Sequence, residues 1–245
     1  MSRVVREIDV KVNGKETDIK GLLIERDGSF TTYIRVLDFE EILNIDVTGH
    51  GTYINVKTSE KKDEIKSTVE DILGVDLPPV EKNLLTNTTE FSSRKIEVKK
   101  IVLHWTANTS RGANEDAHRS YFNRAKYNAA GNRIYANYNF IIGNRKILQL
   151  LEDGTEGWHA GHRETNRSSI GISMCVNRDY DFELTEKYTA YWVAVQLNKY
   201  NLSINDLIRH HDVTGKNCPA MYVGNNNQKA WQDFRNLVEK LMKVI

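Results

Sequence analysis

After residue 80, short apolar runs alternate with longer amphipathic segments. Four apolar runs predict β-strands: 98–104, 134–142, 146–151 and 169–176. Three further segments are expected to be helices: 113–126, 185–200 and 228–243. Thr185 suits the N-cap of the second helix. In the third, Trp231, Phe234, Val238 and Leu241 recur at helical spacing and are expected to lie in the core. Strands interleaved with helices predict an α/β fold, a central mixed β-sheet flanked by helices.

The first part of the chain, 1–57, follows a different pattern and predicts a small β-rich module. Apolar and polar residues alternate over 8–12, as in a half-buried strand. An Asn-Gly and an Asp-Gly dipeptide predict hairpin turns. A short helix is expected at 38–44 and a last strand at 52–56.

A helical linker is predicted between these two parts, over 58–80. Four apolar residues there follow helical spacing: Ile65, Val69, Ile72 and Leu73. Gly74 is a natural helix stop, and Pro78 and Pro79 prevent the helix from continuing. The expected organisation is therefore a module at 1–57, a linker at 58–80 and one larger domain at 81–245.

Composition excludes some classes of protein. The chain has 34 basic and 33 acidic residues, a net charge of +1, which argues against non-specific nucleic-acid binding. No stretch reaches the roughly 18 apolar residues that a membrane helix needs, so membrane insertion is not expected. The first ten residues lack the apolar core of a secretory signal peptide, which favours delivery by a route other than Sec.

The strongest chemical signal is the loop at 209–219, which brings together imidazole, thiol, amine and carboxylate groups. Imidazole and thiolate are preferred zinc ligands, and His210 and Cys218 lie eight positions apart. Two ligands do not hold zinc alone. His104 is the best third candidate because it ends an apolar strand, where a side chain is rigidly placed.

The segment at 101–107, IVLHWTA, resembles the opening strand of the zinc-dependent N-acetylmuramoyl-L-alanine amidases. This family includes many phage endolysins and shares its fold with the peptidoglycan recognition proteins. The resemblance continues in family order over about 95–225 through four more motifs: 138–142, 158–161, 169–172 and 210–219. It implies an enzyme that uses zinc-activated water to cleave peptidoglycan between N-acetylmuramic acid and L-alanine.

The resemblance also implies roles for individual residues. The expected zinc ligands are His104, His210 and Cys218. Tyr138 occupies the position of a catalytic tyrosine. Lys216 occupies the position of a cation that stabilises the oxyanion. His159 falls at a substrate-binding position in the cleft.

One position departs from the family pattern. Ser173 stands where many relatives have Glu, so the group that carries the proton is open. His211 adjoins a proposed ligand but is expected to point away from it. Asp212 is expected either to support a ligand imidazole, to stabilise its loop or to be solvated. Two other histidines, His118 and His162, are expected at the surface, and His50 in a turn.

Two other functions stay open. A peptidoglycan-binding module of the recognition-protein type would keep the cleft without chemistry, although its non-catalytic members lack the zinc cysteine. A cysteine peptidase would use Cys218 or Cys175 with a histidine. For Cys175, which lies in an apolar run, core packing is the plainer interpretation.

Further expectations concern the localisation of the protein and the role of its first module. A wall hydrolase without Sec export resembles an endolysin that stays in the cytoplasm of its bacterial host until it is released to the wall. The module at 1–57 faintly resembles small β-rich stalk modules of bacterial surface proteins. It is a candidate for wall binding, for a spacer or for a dimer contact.

Overall fold

The structure, a computed structural model, describes residues 3–12, 15–26, 29–34, 45–50, 53–58, 61–224 and 227–245, with side chains from residue 65 onward. It divides into two compact units, Met1–Thr68 and Val69–Ile245. The division falls inside the helix Lys61–Leu73 (α1), within the segment assigned to a linker. The helix expected at 38–44 and both turn dipeptides lie outside the described residues.

The first unit contains a five-stranded sheet. Its strands are Arg3–Val12 (β1), Lys15–Arg26 (β2), Ser29–Ile34 (β3), Ile45–His50 (β4) and Tyr53–Thr58 (β5). Their order is β3-β2-β1-β5-β4, antiparallel except for the parallel pair β1–β5. His50, expected in a turn, is the last residue of β4.

The second unit is built on a six-stranded sheet. Its strands are Val80–Lys82 (β6), Lys100–Trp105 (β7), Phe140–Ile142 (β10), Ile147–Gln149 (β11), Ser169–Met174 (β12) and Leu207–Arg209 (β13). A separate antiparallel pair joins Lys126–Tyr127 (β8) and Arg133–Ile134 (β9). The sheet order is β13-β7-β12-β10-β11-β6, and only β10–β11 is antiparallel. The sheet is therefore mixed, as predicted.

Helices cover both faces of this sheet. They are Glu115–Phe122 (α2), Arg163–Asn166 (α3), Phe182–Lys199 (α4), His210–Thr214 (α5) and Gln228–Met242 (α6). Phe140 contacts Trp192 of α4, whereas Ile141 packs in a cluster with Phe122 of α2. Successive strand residues point to opposite faces, so α4 and α2 lie on opposite sides. The predicted α/β architecture is confirmed.

Several predicted bounds are wrong for identifiable reasons. The strand expected at 134–142 is interrupted, since only Arg133–Ile134 and Phe140–Ile142 pair. Between them, buried Asn137 and Asn139 satisfy backbone groups of other segments through their side-chain amides. Asn139 accepts from Gly171 N at 2.9 Å and donates to Thr155 O at 2.8 Å. The Asn139 backbone still bonds to Gly171 and Leu150, so its side chain adds to the ladder there, and the interruption lies at 135–138.

The helix ends also differ from the prediction. α4 begins three residues earlier than expected, because Asp181 rather than Thr185 is the N-cap and accepts from Leu184 N. Thr185 instead donates its hydroxyl proton to the Asp181 carbonyl. In α6, Phe234 and its apolar partners are buried, but Trp231 is half-buried beside two guanidinium groups, those of Arg209 and Arg235.

Within the ranges that the structure describes, none of the helices combines the length and the apolar character needed to cross a bilayer.

Replacing Asn139 with Ala should lower the free energy of unfolding by about 2–6 kcal/mol. The change leaves two buried backbone groups without a partner, and each such group costs about 1–3 kcal/mol. Urea denaturation followed by circular dichroism measures the loss. Asn236→Ala, on the exposed face of α6, is the matched control and should cost under about 0.5 kcal/mol. Equal losses in the two variants would contradict this account of the irregular segment.

Candidate metal centre

Three predicted ligand residues meet at one edge of the sheet. His104 lies near the end of β7, His210 directly follows β13, and Cys218 lies in the loop after α5. Their candidate ligand atoms all lie within 4.8 Å of one another. Because β13 runs parallel to β7, the carboxyl ends of both strands fall at the same edge, which brings the two imidazoles together. All three residues are buried.

Both nitrogens of the His104 ring face a specific partner. Nδ1 lies 3.7 Å from Cys218 Sγ, and Nε2 lies 3.0 Å from His159 Nδ1. Burial lowers the pKa of His104 well below its usual range, and the positive charges of nearby histidines and Lys216 add to the decrease. The imidazole is therefore neutral, the form that binds a metal. A ring held at one nitrogen, with the other facing the cluster, is the usual arrangement of a metal ligand.

His210 and Cys218 complete the donor set. Burial lowers the pKa of His210, Lys216 adds to the decrease, and the Ala160 backbone opposes it. Burial raises the pKa of the Cys218 thiol, against the effects of the Trp105 backbone and of Lys216. Two imidazoles and a thiol are ligands that zinc prefers, and the thiol exchanges its proton for the metal on binding. The residues present thus fit a zinc ion.

Around Cys218, the structure shows the contacts of residues whose roles the sequence left open. His211 lies outside the cluster, with Nδ1 3.1 Å from the Lys216 carbonyl oxygen. Asp212 forms an ion pair with Arg209 at 2.6 Å and accepts from the Arg209 backbone N–H, so it stabilises the start of α5. Lys216 is exposed, yet its charge acts on His104, His210 and Cys218.

His159 lies behind His104 rather than in an open cleft. It is only 6% exposed, and its ring packs on Gly171, where an added Cβ would lie 2.5 Å from His159 Cγ. Burial lowers the pKa of His159 to about 3, and His210 adds to the decrease while the Ser169 backbone opposes it. This location is suited to orienting the His104 ring and leaves little surface for the substrate contact expected from the sequence.

Tyr138 lies beside the three clustered residues. Its ring is 4.9 Å from that of His104 and 5.3 Å from that of Phe122, centroid to centroid. Burial raises the pKa of Tyr138, and Cys218 adds to the increase. Ser173, which pairs with His104 in the β12–β7 register, lies near enough to oppose the increase. The buried hydroxyl of Ser173 makes no hydrogen bond of standard geometry to a described residue.

The expectation for His118 is wrong, whereas His162 is exposed as expected. His118 is only 7% exposed and lines a cavity that also borders Tyr138. It lies one helical turn before Phe122, which belongs to the core. Residues four apart share a helix face, and this spacing was the available signal. Cys175 lies in the same core cluster, which confirms its interpretation as core packing.

Besides the cavity that His118 lines, a second cavity of about 750 Å³ lies next to His210. No pattern in the sequence indicated it. Gly161 is part of its lining, and a Cβ there would lie 3.9 Å from His210 Nε2. Three arginines line it as well: Arg94, Arg163 and Arg167. Buried Glu156 forms ion pairs with the first and the last of them, at 3.3 and 3.7 Å. The lining as a whole stays positively charged.

Without metal, the stability of the protein should fall as the pH is lowered from 7 to 5. His104, His159 and His210 all have folded pKa values below the usual 6.5, so the unfolded chain binds more protons in this range. The contribution of these histidines to the free energy of unfolding is complete above pH 6.5 and is lost progressively below it. For His159 the loss extends to about pH 3. Each histidine contributes a slope of at most about 1.4 kcal/mol per pH unit.

Urea unfolding in the presence of a chelator at pH 7, 6 and 5 measures this slope. His159→Phe keeps a ring in place and should remove one histidine's share of the slope. An identical slope in this variant would show that His159 does not bind fewer protons in the folded state.

Comparisons with known proteins show the family of the chain. The sequence model of the N-acetylmuramoyl-L-alanine amidase family (Amidase_2) matches residues 94–221, just over half of the chain. The amidase BlyA of Bacillus subtilis (strain 168) is 32% identical over 165 residues, which cover 59% of this chain and 42% of BlyA. The amidase XlyA of the same organism is 31% identical over 137 residues, 55% of this chain and 42% of XlyA.

Solved structures show the same fold. The catalytic domain of XlyA superposes with a TM-score of 0.57 at 25% identity, over 65% of this chain and 98% of that domain. A mutant endolysin from Bacillus subtilis gives a TM-score of 0.58 at 25% identity, over 66% of this chain and 99% of the endolysin chain. The chain spans about two fifths of the length of the curated relatives, 42% for both BlyA and XlyA. With a family match over just over half of its length, this chain belongs to the N-acetylmuramoyl-L-alanine amidase family.

Proposed function

We propose that this protein hydrolyses the amide bond between N-acetylmuramic acid and L-alanine in bacterial peptidoglycan, with a zinc ion held by His104, His210 and Cys218. The observation that supports the proposal is the convergence of these three donors within 4.8 Å, in a member of a family named for this activity. When bound, zinc supplies a Lewis acid that activates water and polarises the scissile carbonyl group.

The protein's own residues prepare this centre before any substrate binds. His159 holds His104 through a 3.0 Å contact between ring nitrogens, so the His104 ring has one orientation. Burial keeps both ligand imidazoles neutral and keeps the solvation of the site low. In such poorly solvated surroundings, the electrostatic interaction between two nearby charges is stronger than it is in water.

Two side chains serve the reacting carbonyl group. The Lys216 ammonium, exposed beside the cluster, stabilises negative charge on the carbonyl oxygen in the transition state. Tyr138 has a raised pKa, so its hydroxyl keeps its proton and donates a hydrogen bond at the site. The Ser173 hydroxyl is not a base near neutral pH, so we assign stabilisation of the reacting carbonyl group to Tyr138 and Lys216.

The peptidase alternative is disfavoured by the state of the thiols. A nucleophilic cysteine needs a lowered pKa, whereas burial raises the pKa of both Cys218 and Cys175. Cys175 is also enclosed in the core. A binding module without catalysis has no need of the buried thiol beside His104. The raised pKa of the two thiols and the position of Cys218 beside His104 therefore favour the amidase over the peptidase and over the binding module.

The remaining proposals concern the setting of the enzyme. Similarity to an endolysin of Bacillus subtilis supports action on the bacterial cell wall after release from the host cytoplasm. We propose that the module at 1–57 is a part distinct from the catalytic unit, which begins at Val69, and that it serves wall binding or acts as a spacer. Binding of a chain of residues 1–68 to purified cell walls, measured by sedimentation, tests the first of these roles.

Metal and product analysis test the activity together. The purified protein should contain about one zinc per chain, and digestion of cell walls should release new L-alanine amino termini. A chelator should abolish the digestion and zinc should restore it. Cys218→Ser should weaken zinc binding by more than the about 10–100-fold typical of losing an outer partner. Cys175→Ala is the matched control and should retain zinc. Activity that survives chelation but not thiol alkylation would establish the peptidase instead.

Lys216→Ala should lower kcat by roughly 100-fold, because loss of one preorganised oxyanion partner costs about 3 kcal/mol. Zinc content should stay near one per chain, since Lys216 is not a ligand. Lys240→Ala, an exposed lysine on α6, is the control and should turn over normally. Turnover of the Lys216 variant at the wild-type rate would remove this residue from the mechanism.

A further inference from the structure

One histidine of the segment 210–218, which we call the metal loop, has no role in the centre described above. His211 directly follows the ligand candidate His210, but it lies outside the cluster of ligand atoms. Its side chain is half-buried and borders a surface cavity of about 740 Å³, together with Arg209 and Trp231. The ring therefore neither binds the metal nor fills the core, and its contacts inside the metal loop remain to be explained.

Three groups of His211 each contact a different residue of the metal loop. Its backbone N–H donates to the Cys218 carbonyl oxygen at 2.9 Å, and its own carbonyl oxygen accepts from the Gly215 N–H at 2.8 Å. Its ring Nδ1 lies 3.1 Å from the Lys216 carbonyl oxygen. This one residue is therefore bonded both to the part of the loop that carries the candidate ligand Cys218 and to the part that carries Lys216.

The contact with Lys216 determines which ring nitrogen of His211 carries a proton. A carbonyl oxygen only accepts hydrogen bonds, so Nδ1 donates and is protonated. The same carbonyl oxygen also accepts from the Cys218 N–H at 2.7 Å. One of these donors comes from the start of the metal loop and the other from its end. Together they fix the backbone of Lys216 between the two ends that bear ligands.

The backbone and the side chain of His211 act on different residues. The bond to Cys218 uses the main-chain N–H, which every residue except proline provides. The bond to Lys216 uses the ring and is lost when an apolar side chain replaces it. A substitution at this position therefore leaves Cys218 held in place and releases the Lys216 backbone from one of its two donors.

The position of the Lys216 backbone matters because its side chain has no other anchor in the described part of the chain. Lys216 is exposed, and no hydrogen bond or ion pair joins its ammonium group to another described residue. The ammonium group of a lysine sits on a flexible four-carbon chain, so its location is fixed only as far as the backbone is fixed. A charged group stabilises a transition state most effectively when it is preorganised.

We propose that His211 is a positioning residue for Lys216. Its ring N–H holds the Lys216 carbonyl oxygen and so keeps the ammonium group beside the reacting carbonyl group of the substrate. The assignment rests on the proposed function, in which Lys216 stabilises negative charge in the transition state, and it adds to that function a residue that acts through Lys216.

Turnover and zinc affinity together test the assignment. The measured quantities are kcat for a soluble muramoyl peptide and the zinc Kd from competition with a chromophoric chelator. His211→Leu should lower kcat by about fivefold, the size of one net hydrogen bond, and should change the zinc Kd by less than about twofold. His211→Asn places a side-chain N–H near the position of Nδ1 and should restore most of kcat. Gln232→Leu, an exposed residue of the same cavity, is the matched control and should behave as the wild type.

A double-mutant cycle shows whether the effect of His211 runs through Lys216. Lys216→Ala alone should lower kcat roughly 100-fold. Adding His211→Leu to that variant should lower kcat no further, because the ammonium group that His211 positions is already absent. Independent residues give additive losses, so a further loss of about fivefold in the double variant would show that His211 acts elsewhere.

The protonation of the ring gives a readout that does not require catalysis. Long-range proton–nitrogen correlation spectra of the zinc-loaded, nitrogen-labelled protein, at about pH 8.5 and so well above the usual imidazole pKa, show which ring nitrogen carries the proton. The His211 signals are those that disappear in His211→Asn. Nδ1 of His211 should be the protonated nitrogen.

Three further results would each overturn the proposal. They are a wild-type kcat in His211→Leu, a parallel loss of kcat and zinc affinity in that variant, and a His211 ring protonated at Nε2 alone. Failure of the proposed function is a separate result. A wild-type enzyme that cleaves no muramoyl peptide, or a Lys216→Ala variant with full turnover, removes the role of Lys216, whereas the ring spectrum still shows whether His211 holds the metal loop.

Discussion

Parallel pairing on both sides of β7 is the constraint on which the site depends. A parallel strand ends at the same edge of the sheet as its neighbour, so whatever follows β13 lies next to whatever ends β7. His104 and His210 are separated by more than a hundred residues of chain, yet this pairing brings their rings to 4.7 Å, centroid to centroid. The short α5 then turns the chain back so that Cys218 Sγ reaches His104. Without the shared strand edge, no local feature of the chain would assemble these three donors.

Burial determines the chemical state of the groups collected there. Removing an imidazole from water disfavours its charged form, and for His104, His159 and His210 this is the largest cause of the lowered pKa. The same desolvation keeps the Tyr138 hydroxyl protonated. A site made of neutral nitrogen donors, a thiol and one exposed ammonium is arranged to accept a cation. In the proposed mechanism, the exposed Lys216 ammonium stabilises the negative charge that develops on the reacting carbonyl oxygen.

The residues that hold His104 in place are as specific as the three candidate metal ligands. Gly171 has no side chain, and any Cβ there would collide with the His159 ring that holds His104. The Gly171 N–H is in turn bound by the buried Asn139 side chain. These contacts connect β12, the irregular segment before β10 and the 158–161 motif to a single imidazole. The two cavities beside the centre then differ in charge, one lined by arginines and the other by neutral groups.

The sequence by itself determined the fold class, the family and the identity of the clustered residues, because these follow from local periodicity and from motifs that keep their order along the chain. The choice of His210 over His211 followed from the spacing of the family motif. Only the tertiary structure decided what surrounds each group. It buried His118 and left its Nε2 without a partner, and it placed His159 behind His104. It also interrupted the strand expected at 134–142, between Ile134 and Phe140. Burial and hydrogen-bond partners come from segments far apart in the chain, and no local pattern of residues records which segments will meet.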